Sequence, residues 1–272
     1  MKSLPRGTGN RGAFFLVLIF VIIVGVSTFI GLSLRVDTVD ESLKNDSVIK
    51  TLFVLEDKDQ VLFTDVFIYY PVSHRGALIN ILGNTGAIFQ SLGRVDRIDA
   101  IYTEKGIHIY KSEIENLIGQ TIPFFVKMNM NDFGELTDML GGLKVFVPSP
   151  VDVKTEDERW LLPSGAVNLD GDKITTYLTY VKPEENEAEV VDRRQNVMIA
   201  FLSALNRNAD SLLQKKSFPI YAKKMDSNLK DKDLLRLFTE ISNVDSERLI
   251  PQTITGTRRL VDGKELLFPF YD

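Results

Sequence analysis

Residues 13–34 carry no charge over 22 consecutive positions, and nothing else in the chain constrains its fold as strongly. As a helix the run extends about 33 Å, enough to cross a hydrocarbon layer roughly 30 Å thick, so it is expected to be a transmembrane anchor. Lys2, Arg6 and Arg11 precede it without an intervening acid, whereas Asp37, Asp40 and Glu41 follow soon after Arg35. This cation asymmetry predicts residues 1–12 as a cytoplasmic tail, the cytoplasmic membrane as a partner, and a single-pass protein whose C-terminal part lies outside the cell. A cleaved signal peptide is the competing reading. Its apolar region would be shorter and end in small residues of the Ala-x-Ala kind, which Ser27-Thr28-Phe29 and Gly31-Leu32-Ser33 do not supply.

Residues 35–48 are polar, acidic and aperiodic, and read as a linker to one domain over 49–272. A formal charge of −5 and 44% hydrophobic residues are ordinary for a globular body. The absence of cysteine excludes a disulfide framework, a thiolate metal site and a cysteine nucleophile, and two histidines leave little for a histidine-rich centre. Neither His74 nor His108 has a recognisable serine or aspartate partner, so a histidine triad is set aside. The acidic balance and the lack of a basic patch exclude nucleic acid as a partner.

Strands are expected at 51–55, 66–70 and 77–82, the last two joined by Pro71-Val72-Ser73-His74-Arg75-Gly76. Folding this hairpin about His74 brings Asp65 opposite Gly83 and close to Asn84, an acid beside an amide. A helix over 110–117 stops at Gly119. Next come a strand at 123–128, a helix at 133–140 capped by Asn131 or Asp132 and ended by Gly141-Gly142, and a strand at 143–147. Strand, helix and strand in this order imply a mixed sheet with helices on its faces. Residues 151–162 read as a polar excursion, with Trp160 packed under a loop. Extended segments are expected at 218–222, 248–255 and 264–269, and a helix at 231–241 with Leu234, Leu235, Leu237 and Phe238 inward.

Residues 163–205 organise the domain: a short helix over 169–177, a loop crowded by Glu184, Glu185, Glu187 and Glu189, and a long helix over 189–206. Val190, Val197, Met198, Phe201 and Leu205 fall on one stripe of a 3.6-residue period, with Arg194 on it and Gln195 beside it. A guanidinium aimed at an apolar interior needs an anion, which is either a bound ligand or an internal carboxylate such as Asp65.

Several segments together resemble the LytR-CpsA-Psr family of envelope proteins. Arg97-Ile98-Asp99-Ala100-Ile101-Tyr102 is similar to its Lys-Ile-Asn-Ala-x-Tyr segment, and residues 124–147 to its most recognisable block. Leu169-Asp170-Gly171-Asp172 resembles its Leu-Asn-Gly-Glu helix start, and Arg194-Gln195 the end of its Arg-x-x-Arg-Gln motif. The resemblance implies a three-layer α/β/α domain with a central mixed sheet and an apolar tunnel for a polyprenyl chain. Its implied partners are a polyprenyl-linked glycopolymer and peptidoglycan, and its implied reaction transfers the polymer phosphate from lipid pyrophosphate to a peptidoglycan hydroxyl. It also implies Asp65 as a Mg²⁺ ligand and catalytic residue with Arg194, and Arg97, Gln195 and Asn84 as substrate-binding residues.

The chain departs from that pattern at its cations. The family's Pro-Arg-Asp-Thr is here Leu82-Gly83-Asn84-Thr85, its Tyr-x-Arg-x-Arg is Tyr177-Leu178-Thr179-Tyr180-Val181, and the first arginine of Arg-x-x-Arg-Gln is Val191. At about 1.5 to 3 kcal/mol for each charge-assisted contact, four missing cations amount to roughly 6 to 12 kcal/mol, comparable with the 8 kcal/mol of a micromolar complex. Two functions follow: a transferase with an altered headgroup site, or a non-catalytic scaffold or interaction module of the cell envelope.

Overall fold

The computed structural model of the chain describes residues 39–44, 48–154, 159–180 and 185–270; the expected anchor at 13–34 and the cytoplasmic tail lie outside the described residues. A short helix α1 (Val39–Lys44) leads into strands β1 (Ile49–Asp57), β2 (Gln60–Tyr70) and β3 (Arg75–Ile81), then the ribbon β4 (Gly86–Phe89) and β5 (Arg94–Arg97). Helices α2 (Ile98–Lys105) and α3 (Ile107–Ile118) precede β6 (Phe124–Asn129), α4 (Met130–Met139) and β7 (Leu143–Val147). The hairpin β8 (Val151–Lys154) and β9 (Arg159–Leu162) leads to β10 (Gly165–Leu169), α5 (Gly171–Thr179), the long α6 (Glu187–Arg207) and α7 (Ala209–Leu212). The chain closes with α8 (Phe218–Ala222), β11 (Asp226–Ser227), α9 (Asp231–Ile241), β12 (Ile250–Thr253), β13 (Gly256–Val261) and β14 (Lys264–Pro269).

The central sheet has the order β11-β6-β1-β2-β3-β12 and is mixed: β1 runs parallel to β6 and β3 to β12, while the remaining pairs are antiparallel. Alternation along the strands gives it two apolar faces. Leu52, Val54, Val66 and Ile81 pack with Ile98, Ile101, Tyr110 and Ile114 of α2 and α3. Phe53, Leu55, Phe67 and Leu78 belong to the larger core with α4, α5, α6 and α9, where Phe133 and Phe201 meet at 5.6 Å. Each such side chain contributes about 1.5 to 3 kcal/mol when removed from water, so both helical layers are held to the sheet mainly by burial.

Helices α4 and α5 approach at a contact that admits no side chain. A Cβ on Gly171 would lie 2.5 Å from the Gly134 carbonyl oxygen and 2.7 Å from Asp138 Oδ2. Asp138 Oδ1 accepts the Gly171 N–H at 2.7 Å, so the first turn of α5 is pinned to the last turn of α4.

Several expectations are corrected. The β2–β3 hairpin closes on the pair Tyr70 and Arg75, so its loop is Pro71-Val72-Ser73-His74 and Asp65 faces Asn80, not Gly83. His74 stays exposed at the loop end with a positive φ of 52°, its Nδ1 2.9 Å from the Tyr69 hydroxyl. The cap of α4 is Asn129, whose side chain accepts the Asp132 N–H at 2.8 Å. Residues 218–222 form a helix, because Pro219 in its first turn supplies helical φ and lacks the N–H a strand would pair. The polar excursion is the β8–β9 hairpin, and Trp160 is half-buried beside a cleft of about 430 Å³ bordered by α4 and α5. Part of the expected linker is α1, which buries Val39 and sets Asp40 3.5 Å from Arg236 of α9.

Candidate functional site

The central strands place an acid under the long helix. On the face of β2 that carries Phe63 and Phe67, Asp65 stands between Phe53 of β1 and Asn80 of β3, and none of its surface reaches solvent. Asn80 Nδ2 donates to Asp65 Oδ1 at 3.0 Å, while Asp65 Oδ2 is buried without a partner. Burial pushes its carboxyl up to about 6, against the smaller pull of the Asn80 hydrogen bond and of Arg194.

Arg194 comes from the second turn of α6. Its Nε is buried without a hydrogen bond, and its pKa falls to about 10, first through burial and then through the neighbouring Arg193 charge, partly offset by Glu185 and Asp65. It remains a cation at neutral pH. It lines a cleft of about 630 Å³ whose inner wall includes Phe63, Ile81 and Val191 and whose rim includes Asn84, Arg97 and Glu187.

The start of α6 is fixed by a reciprocal cap: Asn186 Oδ1 accepts the Glu189 N–H at 3.0 Å, and Glu189 Oε2 accepts the Asn186 N–H at 3.3 Å. This sets Glu187 at the cleft rim, where Oε1 accepts from Asn84 Nδ2 at 2.8 Å and Oε2 accepts from Arg258. Asn84 sits in a turn closed by the Thr85 N–H on the Leu82 carbonyl at 3.0 Å, and its Oδ1 is buried without a donor. Arg97 donates from Nε to Asp99 Oδ1 at 2.9 Å and from Nη2 to Asp99 Oδ2. A Cβ on Gly83 would lie 2.6 Å from Asp99 Oδ2, so the carboxylate that holds Arg97 leans against the glycine.

Of the residues expected at the site, Asn84, Arg97 and Arg194 therefore share the cleft, and Asp65 lies within electrostatic reach of Arg194. Gln195 instead ties α6 to the sheet edge, its Nε2 donating to the Gln252 carbonyl at 2.8 Å. Sequence reasoning missed how Arg193 is held. It is 8% exposed, paired with the equally buried Glu185, donating to the Tyr180 carbonyl at 2.7 Å, and lying 5.7 and 5.9 Å from the Tyr177 and Tyr180 ring centres. The tyrosine pair at the end of α5 was its only visible signal.

The cleft is weakly acidic in formal charge. Arg97, Arg194 and Lys264 face Asp99, Glu185, Glu187 and Glu265. Among the described residues no three acids or histidines converge into a metal cage. Two buried acceptor oxygens lack donors near Arg194: Asn84 Oδ1 on the cleft lining, and Asp65 Oδ2, outside that lining but within electrostatic reach of the guanidinium. Hard oxygen atoms of this kind suit Mg²⁺, which commonly takes one or two protein oxygens and completes its shell with water and phosphate.

Residues 73–269 match the model of the LytR_cpsA_psr family. The polyisoprenyl-teichoic acid–peptidoglycan teichoic acid transferase TagU of Bacillus licheniformis is 22% identical over 142 residues, which are 52% of this chain and 45% of that protein. The crystal structure of TagV from B. subtilis superposes with a TM-score of 0.71 at 18% identity, covering 83% of this chain and 92% of that one. TagT bound to LI-WTA gives 0.66 at 15% identity over 82% of this chain and 85% of that one. At these identities the likeness to the solved structures establishes the fold.

Proposed function

Because the chain belongs to the LytR_cpsA_psr family, we propose that it is an envelope protein, anchored in the cytoplasmic membrane by residues 13–34, whose cleft receives the phosphate linkage of a polyprenyl-carried glycopolymer. The polymer then passes to peptidoglycan, as the name of TagU suggests for that protein, with a hydroxyl as the acceptor. The acceptor hydroxyl gives its proton to solvent as its oxygen bonds the polymer-side phosphorus, the bond from that phosphorus to the bridging oxygen breaks, and polyprenyl phosphate leaves with the electron pair. Arg194 carries this reading: it is a largely buried cation at the cleft whose Nε has no partner, held where an entering phosphate oxygen would satisfy it. Asp65 Oδ2, with Asn84 Oδ1, would hold Mg²⁺. The ion's chemistry, when bound, is to offset charge on the leaving phosphate.

A specific observation favours a second reading, a non-catalytic scaffold of the envelope. Arg97 is already taken by Asp99, the Asn84 amide by Glu187, and Arg193 by Glu185, so much of the polar rim is occupied internally. Titrating the full-length protein in detergent micelles with a polyprenyl pyrophosphate, with and without Mg²⁺, separates the two. Transferase function requires Mg²⁺-dependent binding that falls at least about tenfold in Asp65→Ala/Arg194→Ala, together with failure of that variant to complement a deletion strain. Full rescue by the double variant would sink it in favour of the scaffold.

A further inference from the structure

Contrary to the expectation that the chain lacks a basic patch, the stretch between Leu212 and Met225 holds Lys215, Lys216, Lys223 and Lys224 and no acid. Helix α8 lies in this stretch. It buries Phe218 and Ala222 and turns Pro219 and Ile220 outward, with Ile220 57% exposed. Lys224 is committed to Asp132 at 3.0 Å and Glu135 at 2.6 Å. Lys215, Lys216 and Lys223 are exposed and make no ion pair among the described residues. An outward isoleucine among uncommitted lysines combines a short apolar wedge with a cationic surround, the chemistry that suits an anionic lipid surface.

The patch shares a neighbour with the helix through which the described chain enters the domain. Phe218 of α8 meets Phe238 of α9 at 6.1 Å between ring centres, and α9 is bridged to α1 by Arg236 and Asp40. Helix α1 begins five residues after residue 34, where the apolar run ends. Helices α1 and α8 thus both pack against α9. All three helices lie on the same face of the sheet, opposite α2 and α3.

We propose that residues 213–224 form a membrane-contact surface through which Lys215, Lys216 and Lys223 rest the domain on anionic phospholipid headgroups while Ile220 inserts between them. This rests on the anchoring proposed above. Because the chain contains no cysteine, Ile220→Cys introduces a unique thiol for an environment-sensitive dye. The labelled full-length protein is reconstituted into vesicles of equal parts phosphatidylglycerol and phosphatidylcholine that carry a nitroxide lipid, and Ile109→Cys on α3 serves as the probe of the far face. The contact predicts quenching at position 220 at least about threefold stronger than at 109, weakened in pure phosphatidylcholine and by Lys215→Glu/Lys216→Glu/Lys223→Glu. Equal quenching at the two positions, or quenching indifferent to lipid charge and to the glutamate substitutions, overturns the proposal while leaving the anchor intact. Release of the protein from the vesicles by alkaline carbonate would overturn the anchor, and this contact with it.

Discussion

Two adjacent arginines on the same helix live under opposite rules. Arg193 faces the end of α5, where a carboxylate and a carbonyl take its two Nη groups and two tyrosine rings flank it, so that of its nitrogens only Nε lacks a hydrogen bond. Arg194 faces the cleft, where its Nε is buried without a partner and the nearby Asp65 leaves Oδ2 unpaired. The first region is a closed clamp that fixes the acidic start of α6. The second keeps a cation and an acceptor oxygen apart at an expense in desolvation that only a ligand bearing both charge and lone pairs would recover. Structural charge and functional charge are thus separated by one residue.

The sharpest way to break this contrast is Arg193→Ala, which takes the guanidinium away from the buried Glu185. It is expected to lower stability by about 3 to 5 kcal/mol in urea unfolding, and a loss below about 1 kcal/mol would mean the clamp holds little. Asp65→Asn should act in the opposite direction. The Asp65 carboxyl is raised from 3.8 to about 6 by folding, so its contribution to stability is complete below pH 3.8 and is lost as pH rises through 6. The wild-type denaturation midpoint should therefore decline between pH 4 and 6, whereas the asparagine variant should lack that decline and be about 3 kcal/mol more stable, relative to wild type, at neutral than at acid pH. Millimolar Mg²⁺ should raise the neutral-pH midpoint of wild type and not of the variant.

Arg194→Met should leave stability within about 1 kcal/mol, since the lost guanidinium had no hydrogen bond at Nε to forfeit, while weakening polyprenyl pyrophosphate binding by about 10- to 100-fold in calorimetry. The smallest expected effect is that of Glu187→Gln, which removes one negative charge from the cleft rim while retaining an acceptor for the Asn84 amide. Affinity for the same ligand should rise about two- to fivefold, most clearly at low salt.

The local grammar of the chain was readable where a period ran long or a stop was unambiguous. Residues 231–241 and 143–147 form the expected elements with the expected bounds, and Gly119 ends α3 with φ 64°. Register was less readable, because a turn displaced by one or two residues shifts every cross-strand pair. Asp65 consequently meets an amide, but that of Asn80 in place of Asn84. The start of α6 was placed two residues late, because Glu187 and Ala188 add nothing to the apolar stripe and the cap that decides the boundary is polar. Whether an arginine is satisfied depends on contacts such as Arg193 with Tyr177, 16 residues away along the chain and supplied by a different helix. No periodicity in α6 records that neighbour.

The glycine contact between α4 and α5 sets a datum for this whole arrangement. With Gly171 seated against the Gly134 carbonyl, α5 cannot slide along its neighbour by even a fraction of a turn without forcing backbone into backbone. Tyr180 then stands nine residues along a rigid rod, roughly 13 Å from that seat, so the point at which the Arg193 clamp closes is measured out from a joint in another part of the domain. A methyl group added at position 171 would be felt at the Arg193 clamp before any residue there had been touched.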